Sequence, residues 1–374
     1  MLTQFQTYPF EKLNKLLENI TPLTQEIINL TIGEPRFQTP IQIQNALKAH
    51  TSLLQKYPKS KGEDYLKEAQ LHFIQKRFAL SLTPSQIIPT FGTREVLFNF
   101  PQFLLFGEKN PCMAYPNPFY QIYEGSALAC RAKVFLMPLR ESNHFKPSLN
   151  KEQLQKVQLV ILNSPNNPTG ATLSLDELRE WVRLALEYNF VILSDECYSE
   201  IYENTPPHSI LQACIAEGNI NFKNILALNS ISKRSCAPGL RSGLIAGDEE
   251  ILKHYGLYRT YCGCAIPLPL QEASRVAWNL SSENTRQIYA KNLKIAREVF
   301  DDTFISPYSF YIWLKVGDEL EFCKTLYHKE GIMLLPGSFL GSEGEGSGFV
   351  RIALVYEENI IKKALSTIKT YLKR

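Results

Sequence analysis

Six polar side chains follow three apolar runs in the middle of this sequence. Asn167 lies in the loop Asn163–Gly170 after Val157–Leu162. Asp195 and Tyr198 follow Phe190–Leu193. Ser230, Ser232 and Lys233 follow Asn224–Leu228. An amide, a carboxylate, a phenol, two hydroxyls and an amine do not make a metal-ligand set. An amine beside hydroxyls, with a carboxylate on a neighbouring segment, suits a Schiff base to a carbonyl cofactor. A further signal is Gly92-Thr93-Arg94, between the run Ile87–Phe91 and a helical pattern carrying Val96, Leu97 and Phe100. Unpaired N–H groups at a helix N-terminus bind anions, glycine permits close backbone approach, and Thr93 adds a hydroxyl. Taken alone, Gly-Thr before a helix is more often ordinary capping.

The elements that must position these groups are legible. Val157–Leu162 reads as a buried strand. Ser174-Leu175-Asp176-Glu177 is a capping box that opens a helix to about Tyr188. Phe190–Leu193 is the next strand, which completes a parallel βαβ unit, and Asn224–Leu228 is a third. Repeated units of this kind predict an α/β fold with helices on both faces of a mostly parallel sheet. Ligands bind beyond the carboxyl ends of such strands, so the six groups should share one rim. Upstream, Leu13, Leu16, Leu17 and Ile20 predict an amphipathic helix ended by Pro22. Ile27–Ile32 predicts a short strand before the loop Gly33-Glu34-Pro35, and a helix should follow Pro40. From about Pro267 the pattern becomes α+β, with helices over Glu272–Trp278, Thr285–Phe300 and Leu320–Glu330. Strands are expected over Phe310–Val316 and Val350–Val355, and Gly341–Gly348 reads as a flexible loop.

Composition narrows the function. The chain has 374 residues, with 44% hydrophobic and 21% charged, which excludes a disordered protein. A net charge of +3 argues against a dedicated nucleic-acid binder. The eight cysteines include no CxxC pair and there is no HExxH, so no metal site is expected. Unpatterned cysteines suit a reduced, cytoplasmic protein. Met1–Phe10 shows no leader pattern, and no apolar run approaches a membrane span.

Taken together, the motifs resemble those of the class I/II aminotransferases, pyridoxal-phosphate enzymes of fold type I. Ser230-Ile231-Ser232-Lys233 with Gly239 and Arg241-Ser242-Gly243 resembles their lysine signature. Asn163–Gly170 resembles their Asn-Pro-Thr-Gly loop, and Asp195–Tyr198 their Asp-x-x-Tyr. Ile32-Gly33-Glu34-Pro35, Tyr57 with Gly62, Pro118-Phe119-Tyr120, and Pro336-Gly337 through Arg351 follow in family order, from about residue 27 to the C-terminus.

The resemblance implies a role for each residue. Lys233 would bond the cofactor aldehyde and move the Cα proton, Asp195 would keep the pyridine nitrogen protonated, and Asn167 and Tyr198 would hold its phenolic oxygen. Tyr120 would stack on the ring. Gly92, Thr93 and Arg94, with Ser230 and Arg241, would hold the phosphate, and Tyr57 would reach it from a second copy in a homodimer. Arg351, with Asn167 and Gly33, would receive the substrate α-carboxylate. The implied layout is an N-terminal segment (1–40) packing with a small domain (271–374), beside a large cofactor-binding domain (41–270). The partners would be small amino and 2-oxo acids, with neither nucleic acid nor membrane involved.

Departures from the pattern bear on the substrate. Tyr308-Ser309-Phe310-Tyr311 lacks the glycine usual before this aromatic pair. Arg36 stands where many relatives carry an acidic or amide residue. A cation there, joined by Lys59, Lys61 and Arg234, would favour a substrate with a distal carboxylate. Within the family the chain looks most like the succinyldiaminopimelate aminotransferases of lysine and cell-wall precursor synthesis, which use glutamate as donor. An aspartate, aromatic or general 2-oxo acid aminotransferase is the alternative, followed by a carbon–sulfur β-lyase. A regulator fused to a helix-turn-helix is disfavoured by the roughly 30 residues before Gly33, too few for that domain.

Overall fold

Strands that run apolar without alternation must be covered on both faces, and the central strands here obey that rule. The computed structural model describes residue 5 and residues 7–301, 303 and 305–372. Met1–Gln4 and Gln6, in the stretch read above for a leader, lie outside the described residues, as do Asp302, Phe304, Lys373 and Arg374. In chain order the strands are β1 (Ile28–Asn29), β2 (Ile87–Thr90), β3 (Cys112–Asn117), β4 (Lys133–Pro138), β5 (Leu159–Asn163) and β6 (Val191–Asp195). They continue with β7 (Ile225–Ser230), β8 (Gly243–Gly247), β9 (Tyr311–Lys315), β10 (Ile332–Met333), β11 (Leu335–Pro336) and β12 (Phe349–Ala353).

Seven of these form one sheet in the order β2-β8-β7-β6-β5-β3-β4. Only β8 is reversed, pairing antiparallel with both β2 and β7, while the other pairings are parallel. β2 therefore points the same way as β5, β6 and β7. The turn at Gly92 consequently opens on the same edge as Asn163, Asp195 and Ser230. Val160, Leu162 and Ile192 join the core on one face, and Leu159, Ile161 and Leu193 the core on the other. The capping box forms: Ser174 Oγ accepts from Glu177 N at 3.3 Å and Ser174 N donates to Glu177 Oε2 at 2.7 Å. It opens the helix Leu175–Tyr188.

A second sheet, β11-β12-β9, is antiparallel. β1 pairs in parallel with β10, and Ile28 and Leu30 share a core with Leu293, Ile312 and Ile352. β1 is shorter than the expected Ile27–Ile32. Its partner offers two residues, and Thr31 turns its N–H and hydroxyl back to Asn29 Oδ1 (3.0 and 2.6 Å), which ends the ladder. The N-terminal helix, Pro9–Leu17, stops short of Pro22, because Ile20 N bonds Leu17 O in a closing turn. Gly341–Gly348 is tethered rather than free. Ser342 exchanges two hydrogen bonds with the Asn117 side chain, and Gly348 N donates to Glu319 Oε2 at 2.8 Å.

The helix Thr93–Leu104, which begins at the Gly92 turn, is anchored by a buried ion pair. Glu95 accepts from Arg259 Nε at 2.7 Å and Nη2 at 3.1 Å, and also from Phe91 N at 2.7 Å. Removing one partner strands the other charge away from water. Glu95→Ala is therefore expected to cost roughly 3–5 kcal/mol. The denaturant unfolding midpoint measures it, and an unchanged midpoint would contradict the anchor.

Candidate active site

Each strand end delivers its group by a local device. At the end of β7, the Ser230 hydroxyl accepts from Ser232 N at 3.1 Å and donates to Ser232 Oγ at 2.9 Å, capping the single turn Ile231–Arg234. That turn presents Lys233 to a cavity of about 370 Å³. Lys233 Nζ donates to the carbonyl of Gly33. A Cβ on Gly33 would fall 1.8 Å from Tyr311 Oη, so only glycine brings this backbone so near. Burial lowers the pKa of the Lys233 amine, which leaves it more readily unprotonated near neutrality.

Asp195 ends β6 and is buried. Its Oδ2 accepts from Tyr123 Oη at 2.8 Å, and its Oδ1 from Cys197 N at 3.3 Å. Burial raises its pKa, and the hydrogen bonds from Cys197 and Tyr123 oppose that rise. Tyr198 donates to Tyr311 Oη at 3.3 Å, and burial pushes its phenol well above the usual range. After β5, Asn167 N donates to Asn163 Oδ1 at 2.8 Å, and Asn167 Oδ1 accepts from Arg351 Nη1 at 2.8 Å. Arg351, only 4% exposed, also donates Nη2 to Thr31 O at 2.6 Å and lies 4.4 Å over the Tyr311 ring. Its Nε is buried without a partner.

Gly92 has φ +76°, and a Cβ there would lie 2.2 Å from Arg241 Nη2. Arg241 is steadied by Nη1 donating to Pro238 O at 2.8 Å. The helix N-terminus at Thr93, the Arg241 guanidinium and the Ser230 hydroxyl thus flank one end of the cavity. The Arg94 side chain runs elsewhere: Nε donates to Tyr120 Oη at 2.7 Å and Nη2 to Tyr8 Oη at 3.1 Å.

Gly33, Thr93, Arg94, Tyr120, Asn167, Asp195, Tyr198, Ser230, Lys233, Arg241 and Arg351 all line the cavity. Three of the site residues named from the sequence do not. Gly92 lies just outside the lining, beside the Arg241 guanidinium. Tyr57 is fully exposed, and the guanidinium of Arg36 stacks 4.1 Å over Tyr356, outside the lining. Arg234 corrects the expectation of a basic mouth. On a helical turn its neighbour's orientation carries it about 100° away from Lys233, into the core. There it is buried against Phe73 and Trp278, with Nη2 on Leu280 O at 3.1 Å. Lys59 is engaged by Glu63 and Asp64. Ser309 adopts φ +66°, taking the left-handed conformation that the usual glycine would favour.

Sequence reasoning missed Tyr8, Tyr123 and Cys197, and passed over Tyr311 as a site residue. Tyr123 had a signal, standing one helical turn after Tyr120. Tyr8 had none, since only the tertiary fold brings it here.

The lining residues carry Arg94, Lys233, Arg241 and Arg351 against the one carboxylate of Asp195. This set fits pyridoxal phosphate and an amino acid. A dianion suits the helix N-terminus with Arg241, an aldehyde suits the Lys233 amine, and a protonated ring nitrogen suits Asp195. An α-carboxylate suits Arg351, whose buried Nε has a hydrogen still to donate.

The family model "Aminotransferase class I and II" matches residues 25–368. The LL-diaminopimelate aminotransferase of Aquifex aeolicus is 30% identical over 380 residues, covering 97% of this chain and 96% of that protein. Among solved structures, aminotransferase AspB from Helicobacter pylori is 54% identical with a TM-score of 0.98, covering 99% of both chains. An aminotransferase from Neisseria meningitidis is 39% identical with a TM-score of 0.93, covering 99% of this chain and 98% of that one.

Gly92→Ala both strains a left-handed φ and displaces Arg241. Affinity for pyridoxal phosphate should fall roughly tenfold or more, and the strained φ should lower stability by about 1–3 kcal/mol. Equilibrium dialysis measures it, and unchanged affinity would remove the cradle. Glu196 gives a pH prediction. It turns away from the cavity, accepting from Ser194, Ser209 and Ile210, with Oε2 buried and unpartnered. Burial raises its pKa from 4.5 to about 7. The folded chain keeps a proton that the unfolded chain sheds, so stability falls as pH rises through that window. Glu196→Gln should flatten this share of the fall between about pH 5 and 8, read as the unfolding midpoint against pH. A slope equal to the parent's would contradict it.

Proposed function

Because the chain belongs to the class I and II aminotransferases, a pyridoxal-phosphate enzyme family, we propose that it moves the amino group of glutamate onto a 2-oxo acid with a distal acid group. The reaction put forward is N-succinyl-LL-diaminopimelate/2-oxoglutarate transamination, in lysine and cell-wall precursor synthesis. The observation that carries this reading is Arg94. Lys233, Arg241 and Arg351 have assigned partners in the cofactor and the α-carboxylate, and Arg36 does not line the cavity. Arg94, held only by two phenols, is the lining cation left for a second acid. The name of the Aquifex relative supports the same carbon skeleton. Arg94 favours a shorter acidic substrate as well, so an aspartate aminotransferase is the second reading.

When bound, pyridoxal phosphate supplies an aldehyde that condenses with amines and a ring that draws electrons from the substrate Cα. Lys233 Nζ, unprotonated, accepts the Cα proton. Asp195 would hold the proton on the ring nitrogen, Asn167 and Tyr198 would bind the phenolic oxygen, and Tyr120 would lie against the ring. Gly92, Thr93, Ser230 and Arg241 bind the phosphate. Arg351, Asn167 and Gly33 orient the α-carboxylate so that Cα lies at Lys233.

Residues 1–40 move with a small domain, 271–374, against a large domain, 41–270. Substrate bound at Arg351 draws the two together and excludes water. The enzyme works as a cytoplasmic homodimer in which the exposed Tyr57 completes the phosphate site of a second copy.

The holoenzyme with glutamate and no acceptor should pass to the amine form of the cofactor and release 2-oxoglutarate. Lys233→Ala should abolish that half-reaction. No conversion by glutamate, with pyruvate released from cystathionine, would replace this reading with the β-lyase. Arg94→Ala should raise KM roughly tenfold for the succinylated 2-oxo acid and for oxaloacetate, but not for pyruvate. Equal effects on all three would remove Arg94 as the reader of the distal acid.

A further inference from the structure

Tyr123 has no part in the scheme above, yet it touches the group on which that scheme depends. Its side chain is 1% exposed, and its hydroxyl donates to Asp195 Oδ2 at 2.8 Å. The ring is boxed by Tyr115 and Tyr120, with centroids 6.0 and 5.9 Å away. Its backbone is fixed in turn, because Ser126 Oγ donates to Tyr123 O at 2.8 Å. The phenol is thus packed with its hydroxyl directed at Asp195.

Asp195 is poorly provided otherwise. Its second oxygen takes a long bond from Cys197 N, at 3.3 Å, and the Cys197 thiol also bonds the carboxylate. The titratable groups facing it are Tyr123, Cys197 and Tyr120, none of them cationic. A carboxylate buried among uncharged neighbours tends to take up a proton of its own. A fixed hydroxyl donor opposes this, since it bonds an ionised oxygen more strongly than a neutral one. Burial holds the phenol's proton in place far above neutral pH, so Tyr123 remains a donor.

We propose that Tyr123 is a positioning residue for transamination. It commits Oδ2 of Asp195 and keeps that carboxylate ionised, leaving Oδ1 as acceptor for the protonated ring nitrogen. One hydrogen-bonded turn, Tyr123 N on Tyr120 O at 3.0 Å, then carries both Tyr120, for the ring face, and Tyr123, for the nitrogen's counter-ion. This inference rests on the role given to Asp195 above.

Tyr123→Phe deletes the hydroxyl and retains the packed ring. Three changes are expected in the variant. The apoenzyme's affinity for pyridoxal phosphate falls roughly tenfold. The absorbance of the bound cofactor titrates at a shifted pH. In turnover, kcat falls while KM for glutamate holds. Tyr255→Phe, which removes a buried phenol bonded to Asn99 away from the cavity, should move none of the three and controls for general loosening. Asp195→Asn separates the two readings. If it damages affinity and the half-reaction while Tyr123→Phe leaves affinity and titration unchanged, this inference falls alone. If Asp195→Asn is itself harmless, the Asp195 role falls and this inference with it. In the Asp195→Asn background, Tyr123→Phe should add little, and a full additive loss would also overturn the coupling.

Discussion

A buried guanidinium joins three distant stretches of this chain. Arg351 stands on β12, donates to Asn167 beyond β5 and to Thr31 beside β1, and lies over Tyr311 on β9. Removing such a cation from water costs several kcal/mol, which is tolerable only where acceptors surround it. Those acceptors come from the N-terminal segment and the central sheet, so the contact joins both to the antiparallel sheet that carries Arg351. The rest of the cavity follows from it. Thr31 fixes the chain just before Gly33, and the Gly33 carbonyl in turn meets Lys233.

The cations of the cavity are oriented without being neutralised. Lys233 is held by a carbonyl, Arg241 by a carbonyl, Arg351 by an amide and a carbonyl, and Arg94 by two phenols. Neutral acceptors fix direction while leaving the positive charge for an incoming anion. The buried Arg259–Glu95 pair behind the Gly92 turn does the opposite, and serves as an anchor. The same cavity keeps Asp195 as its one lining carboxylate, supported by hydrogen bonds from Tyr123 and Cys197.

What could be read from the sequence was what local physics decides. The helix Leu175–Tyr188 was legible because its capping box satisfies its own N-terminus. The strand ends were legible because a parallel sheet collects them on one edge. Elements decided by distant partners were not. β1 has the length of β10, Gly341–Gly348 is held by Asn117 and Glu319, and Arg234 follows the twist of a turn that delivers Lys233. Tyr8 reaches Arg94 from a segment with no local mark of function. Cationic type alone placed Arg36 and Arg234 together, whereas packing sends one over Tyr356 and the other against Trp278.

The Arg351–Thr31 contact joins residues 320 positions apart. A ribosome makes Thr31 long before Arg351. Until residues 332–351 are made, the N-terminal segment has neither β10 to pair with nor Arg351 to donate to Thr31 O. The central sheet, Ile87–Gly247, is complete in sequence well before that. The Gly92 turn, Arg241 and Lys233 can therefore assemble on a growing chain before Arg351 exists. On the function proposed, a truncated or nascent chain would hold the parts for the cofactor but lack the grip on the amino acid.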